Sequence, residues 1–209
     1  MATESNCEIL LSLLCTKDNW TVCDDTYYTC LAFREDGVGL MRFVNDQQPG
    51  ALLICEFDWE IYGGEGEATI DTRQKDLEDS LRTHGRDFVI SMKIRKCAPR
   101  ENWDVVLPNL PHKELLIRRL KEVTFEEEEY LGARLEVGNF PPEFDSNMDG
   151  KSLGLTRWGL RLKFDKSPVP SLDKWNKEYE NMAESQHWEK QTNWFSRKLR
   201  GSGGWNFTG

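Results

Sequence analysis

Hydrophobic and polar residues alternate with a period of two over much of the chain, most clearly between Thr26 and Ile61. Tyr27, Leu31 and Phe33 fall on one face of a first segment. Arg34-Glu35-Asp36-Gly37-Val38-Gly39 follows as a hairpin turn, because glycine accepts the positive φ that tight turns require. A segment from Ala51 to Ile61 places Leu53, Cys55, Phe57, Trp59 and Ile61 on one side and Glu56, Asp58 and Glu60 on the other. That alternation describes strands with one dry and one wet face, so Glu56 and Asp58 read as solvated charges on an outer face.

The same reading places strands at 26–34, 39–44, 51–61, 67–72, 87–97, 130–137 and 156–164. In the fifth of these, Phe88, Ile90, Met92 and Ile94 alternate with Val89, Ser91, Lys93 and Arg95. In the last, Thr156, Trp158, Leu160, Leu162 and Phe164 face one way and Arg157, Arg161 and Lys163 the other. The segment 113–123 fits either a helical stripe (Leu115, Leu116, Ile117, Leu120, Val123) or an imperfect strand. We read it as a strand because β-formers close it and strands flank it. Residues 1–18 read as a polar lead and a short amphipathic helix with Ile9, Leu10, Leu13 and Leu14 on one side. Ser171 is placed as an N-cap for a helix reaching Arg200, with Leu172, Trp175, Tyr179 and Met182 at helical spacing and Trp188, Phe195 and Leu199 extending the stripe. Residues 201–209 form a glycine-rich tail.

About eight strands and a terminal helix predict a mainly β fold: a single antiparallel barrel over 19–166, with the helix of 171–200 packed outside. The length of 209 residues suits one domain. The eight tryptophans and ten phenylalanines supply much of the apolar bulk in a chain that is only 38% hydrophobic. If the strands close, Tyr27, Phe57, Trp59, Phe88, Met92, Trp158 and Phe164 point into one interior, with Ala68 and Ala133 leaving room between them. Tyr27, Tyr28, Thr29, Thr156 and the indoles of Trp59 and Trp158 are the hydrogen-bond donors such an interior offers.

Charge and motifs narrow the chemistry. A formal net charge of −9 and no basic stripe exclude a general nucleic-acid binder, which must neutralise phosphates. No apolar stretch reaches the length of a membrane span. The six cysteines (7, 15, 23, 30, 55 and 97) contain no Cys-x-x-Cys pair. The Ile9–Leu14 run is short and follows Glu4 and Glu8, so no export signal is evident. We read the thiols as reduced, the sequons at Asn19 and Asn206 as incidental, and the compartment as cytoplasmic. His84, His112 and His187 are dispersed and give no metal-ligand spacing. Asp145-Ser146-Asn147-Met148-Asp149-Gly150 copies half of a calcium loop, but Thr156 stands where a bidentate Glu belongs. No Gly-x-Ser-x-Gly elbow occurs, and Gly63-Gly64-Glu65-Gly66 lacks the lysine of a phosphate loop. These patterns point to no cofactor.

The run from Gly159 to Pro170 (Gly159-Leu160-Arg161-Leu162-Lys163-Phe164-Asp165-Lys166-Ser167-Pro168-Val169-Pro170), followed by Trp175, resembles a signature of small lipocalin-like proteins of filamentous fungi. Leu31-Ala32-Phe33-Arg34-Glu35-Asp36-Gly37-Val38-Gly39 and Glu56-Phe57-Asp58-Trp59 resemble the same group. The resemblance implies a calyx for a hydrophobic compound. It also implies, by analogy of fold, a cofactor-free cyclase or isomerase of fungal natural-product biosynthesis, in some cases pericyclic. It carries over no catalytic residue. The expected ligand-binding residues are Tyr27, Phe57, Trp59, Phe88, Met92, Thr156 and Trp158. Two other functions compete: a non-catalytic lipid or pigment carrier, and a protein-interaction module with a filled core and an exposed helix near Trp188 and Trp194.

Overall fold

A computed structural model describes residues 6–22, 29–44, 52–62, 81–97, 99–100, 117–141, 157–185 and 187–199. Eight strands form a closed antiparallel barrel in which each strand pairs with its neighbours in the chain: β1 (Trp20–Thr21), β2 (Cys30–Phe33), β3 (Val38–Val44), β4 (Leu52–Tyr62), β5 (Arg86–Ile94), β6 (Glu129–Phe140), β7 (Trp158–Phe164) and β8 (Asn193–Lys198). The seam is narrow. β8 meets β1 through Thr21 opposite Phe195, while β6 and β7 share six register pairs interrupted by a bulge between Val137 and Phe140. Closure removes both sheet edges, so even a two-residue β1 suffices to complete the ring.

Helices attach to both ends. Helix α1 (Asn6–Leu14) precedes β1 and contributes Leu10, Leu13 and Leu14 to the core. Trp20 donates its indole N–H to the Leu14 carbonyl at 3.0 Å, tying the helix to the first strand. The opposite end is covered by the connection between β7 and β8. It runs through a 3-10 turn at Leu172–Lys174, helix α3 (Lys177–Ser185) and a second 3-10 turn at Trp188–Lys190. This cap lowers Trp175 and Trp188 into the core against Phe43 and Trp194, with ring centroids 5.0 Å apart for Phe43–Trp188 and 6.1 Å for Phe43–Trp194. Helix α2 (Val123–Glu126) lies at the same end, just before β6.

The mainly β, single-barrel architecture with a C-terminal helix follows the alternation pattern. Two elements differ. The helix expected to reach Arg200 stops at Ser185, and 193–198 is the eighth strand. Trp194 and Ser196 are both fully buried on the inner side, opposite Leu162 and Leu160. The apparent helical spacing of Trp188, Phe195 and Leu199 was coincidental, since Trp188 caps the barrel and Phe195 lies in its wall. The reading of 113–123 as a strand is also corrected: within its described part, Ile117–Arg119 make a turn, Leu120 forms an isolated bridge with Trp175, and Val123 opens α2. Ile117 and Leu120 are both buried at the three-residue spacing of a turn, and that stripe outweighed the β-formers. The expected strand at 67–72 and the tail at 201–209 lie outside the described residues.

Candidate ligand site in the barrel interior

Period-two alternation sets what faces inward. Leu53, Cys55, Phe57 and Trp59 of β4, Phe88, Ile90 and Met92 of β5, Leu131, Ala133 and Leu135 of β6, and Leu160, Leu162 and Phe164 of β7 share one continuous core. The rings pack on one another. Phe33 makes edge contacts with Phe57 at 5.6 Å and with Trp59 at 5.1 Å between centroids. The Phe57 ring also lies across Gly39, its register partner, where any side chain on β3 would collide with it. The central girth near Phe57 is therefore occupied by side chains of the wall itself.

Space opens at the cap end. A cavity of about 130 Å³ has Met41, Met92, Ile94 and Leu131 as its barrel floor. Its other walls are Thr124, Glu127 and Glu129 from the approach to β6, and the run Lys166 to Ser171 with Lys174 from the cap. Pro168, Val169 and Pro170 present a rigid apolar wall, since proline fixes φ and leaves no N–H to satisfy. The rim is charged but balanced. Lys166 meets Glu129 at 2.6 Å, and Lys174 bridges Glu127 and Glu129, the latter at 3.5 Å. The size decides what fits: an apolar cavity of about 150 Å³ admits a benzene-sized guest, whereas drug-sized ligands occupy roughly 300–1,000 Å³.

Buried donors mark a second property of the interior. Among the described residues, the buried indole N–H groups of Trp59, Trp158 and Trp194 find no hydrogen-bond partner, whereas Trp20 and Trp175 donate to the Leu14 and Pro170 carbonyls. Leaving such a donor unmet costs about 1–3 kcal/mol. Trp59 and Trp194 both belong to the continuous core, and Trp59 stands opposite Met92, which floors the cavity.

The expected site residues thus divide. Phe57, Trp59, Phe88 and Met92 share the interior, and of these four Met92 alone lines the cavity. Trp158 is buried on β7, opposite Phe140 and outside that core. Tyr27, Tyr28, Ala68 and Thr156 lie outside the described residues, and Thr29 is buried just before β2. Glu56 corrects the expectation of solvated outer charges. It does point outward, but it is fully buried, with Arg95 Nη1 and Arg100 Nε each at 3.5 Å and the Arg100 backbone N–H donating to its Oε1 at 2.7 Å. Asp58 is half exposed, as expected, and accepts from Arg95. The exposed helix expected near Trp188 and Trp194 is likewise replaced, because both rings lie in the core. Sequence reading missed the cap as a wall of the site. Its signal was the closely spaced Pro168, Pro170 and Trp175, which alternation alone treats as the end of a strand.

Among the described residues, no three His, Cys, Asp or Glu gather as a metal site would require, and no helix is long and apolar enough to cross a membrane. Burial pushes the Cys55 thiol up to about 12, so this core cysteine stays neutral and unreactive near pH 7. Comparison of the chain with protein-family models, with curated proteins and with solved structures finds no match in any of the three.

Proposed function

We propose that this barrel binds a compact, mainly apolar small molecule at its cap end. The supporting observation is the cavity between the barrel floor of Met41, Met92 and Leu131 and the Pro168–Pro170 wall. A guest of one ring or a short chain fits that volume. The Lys166 and Lys174 ammonium groups in its lining favour a guest that carries a hydrogen-bond acceptor such as a carbonyl. Binding and carriage need nothing more than this.

Conversion of the guest is a second reading, favoured by one observation: the Lys166 and Lys174 ammonium donors stand over an apolar floor of Met41, Met92 and Leu131 in one cavity. Donors in a water-poor site can polarise a carbonyl, and confinement can fold a substrate into a reactive conformer, without metal or nucleophile. A cofactor-free cyclisation or isomerisation, as the resemblance to fungal lipocalin-like proteins implies, has that form. At about 130 Å³ the cavity excludes an extended polyene unless the cap moves.

The test compares acetophenone with ethylbenzene, which has nearly the same shape but no acceptor. Thermal shift and heteronuclear NMR report binding. Saturable binding with acetophenone preferred by up to about tenfold, one hydrogen bond's worth, and loss of that preference in Lys166→Met with Lys174→Met, is the expected result. Absence of saturable binding by either compound would overturn the proposal. Guests recovered unchanged from a panel of enones and dienes would leave carriage and remove conversion.

A further inference from the structure

Four large apolar side chains are exposed among the described residues, and three of them gather on one patch of the barrel's outer wall. Tyr62 of β4 stands opposite Val89 of β5, Val89 stands opposite Gly132 of β6, and Tyr130 of β6 stands opposite Ser91 of β5. The small residues Ser91 and Gly132 let the two tyrosine rings lean together across β5, with centroids 5.6 Å apart at an interplanar angle of 63°. Glu60 flanks one ring and Glu128 the other. The Tyr62 hydroxyl donates to Glu60 Oε2 at 3.0 Å, and desolvation together with the nearby Glu128 carboxylate raises the Tyr130 phenol above its ordinary value. Isolated exposed apolar residues are ordinary, but a cluster with a polar rim marks an interaction surface.

We propose that this face of β4, β5 and β6 docks an arginine- or lysine-bearing segment of a partner polypeptide, with a cationic side chain seated against the Tyr62 and Tyr130 rings. Three features select that occupant. Aromatic faces attract guanidinium and ammonium groups through the ring quadrupole. The Glu60 and Glu128 carboxylates sit beside both rings, where they attract a cation and repel an anion. A second copy of this chain would bring the same carboxylates face to face on a molecule whose net charge is already −9, so self-association is disfavoured. The hydrogen bond to Glu60, and that carboxylate's charge, hold the Tyr62 phenol above its ordinary value, so the ring stays neutral through the physiological range. Lys93, the remaining outward cation of β5, lies further along the strand opposite Asp58. The surface is independent of the interior cavity, so the two proposals stand or fall separately.

The experiment titrates the full chain with an acetylated hexa-arginine amide, followed by NMR signals of the Tyr62 and Tyr130 rings and the Val89 methyls. We expect saturable shifts confined to this patch, weakening as salt rises. Tyr62→Ala with Tyr130→Ala should lower affinity about tenfold, with near-ultraviolet circular dichroism confirming an intact core. Glu60→Gln with Glu128→Gln, which keeps both rings and tests charge alone, should lower it several-fold. Glu178→Gln with Glu184→Gln on α3 should leave it unchanged. Equal binding by the ring-deleted and native chains, an equal loss from the α3 variant, or no binding at all would overturn the proposal. So would native-chain dimerisation abolished by the ring deletions, which would make the partner a second copy.

Discussion

The barrel wall has two stretches of the same construction and opposite exposure. On β3 and β4 the outward residues Leu40, Arg42, Ile54 and Glu56 are all buried, so this stretch is dry on both faces. On β5 and β6 the outward residues Val89, Lys93 and Tyr130 are exposed, with the small Ser91 buried among them, and the inner face alone is continuously dry. Both stretches alternate strictly, and in both the inward set joins the common core. The difference comes from what lies outside. Arg95 and Arg100 return across β4: the Arg95 N–H donates to the Glu56 carbonyl at 2.8 Å, and the Arg100 N–H donates to the Glu56 carboxylate. Strand parity dictates direction, while exposure depends on whether a further layer arrives from elsewhere in the chain.

The comparison breaks most visibly at Glu56. Glu56→Ala strands the Arg100 N–H, takes one carboxylate from the Arg95 and Arg100 guanidinium groups, which keep Asp58 and Asp36, and empties a fully buried position. A loss of about 3 kcal/mol in denaturant unfolding is expected. Glu60→Ala, on the same face of the same strand, should stay within about 0.5 kcal/mol. Similar losses at the two positions would show that the outer layer over Glu56 contributes nothing.

Leu40 and Val89 repeat the contrast without charge. Leu40 is fully buried on the outer face of β3, and Leu40→Ala should cost about 2–4 kcal/mol through lost burial and the cavity left behind. Val89→Ala removes an exposed side chain and should cost less than about 1 kcal/mol, chiefly lost strand propensity.

The same distinction explains what sequence makes legible. β4 is readable because Leu53, Cys55, Phe57 and Trp59 alternate with Glu56, Asp58 and Glu60, whatever later covers Glu56. β8 is not. Phe195 is buried on the outer side next to inward Trp194 and Ser196, so hydrophobicity carries no period of two, and the strand follows a segment with true helical spacing. β1 spans two residues, too few for any period. Its place is fixed by partners more than 170 positions away, through Thr21 opposite Phe195 and the Ser196 hydroxyl on the Asp18 carbonyl. In the candidate site, floor residues such as Met92 follow from parity. The Pro168–Pro170 wall and Lys174 do not, because they reach the cavity through the cap rather than through a strand.

Buried thiols sharpen the comparison through pH. Burial, the largest cause in each case, pushes Cys30 up to about 11 and Cys55 up to about 12 from an ordinary 9.0. The folded state thus keeps protons that the unfolded chain loses. The stability these thiols contribute is complete below pH 9 and falls as pH climbs from 9 towards 11–12. Cys30 is outward on β2, in the doubly covered stretch, and Cys55 is inward on β4, so both should behave alike. Melting temperature followed from pH 8 to 11 should fall less steeply in Cys30→Ala and in Cys55→Ala than in the native chain. An unchanged slope for Cys30→Ala alone would mean that water reaches the outer face of β2.

The smallest effect belongs to the exposed counterpart of the Glu56 cluster. Asp87 of β5 meets Arg134 of β6 with Oδ2 2.9 Å from Nη1, a closer contact than either guanidinium makes with Glu56. By distance alone it should be the stronger pair. Yet Asp87 is 71% exposed and Arg134 40%, so water screens the attraction and the side chains lose entropy on pairing. Asp87→Asn should therefore change stability by no more than about 0.5 kcal/mol, and 1 M salt, with a Debye length of about 3 Å, should erase even that. The Glu56→Ala loss should persist in the same salt, because most of it is the cost of unmet buried groups rather than screened attraction. A salt-resistant loss at Asp87 as large as that at Glu56 would mean that proximity, not the missing outer layer, separates the two stretches of wall.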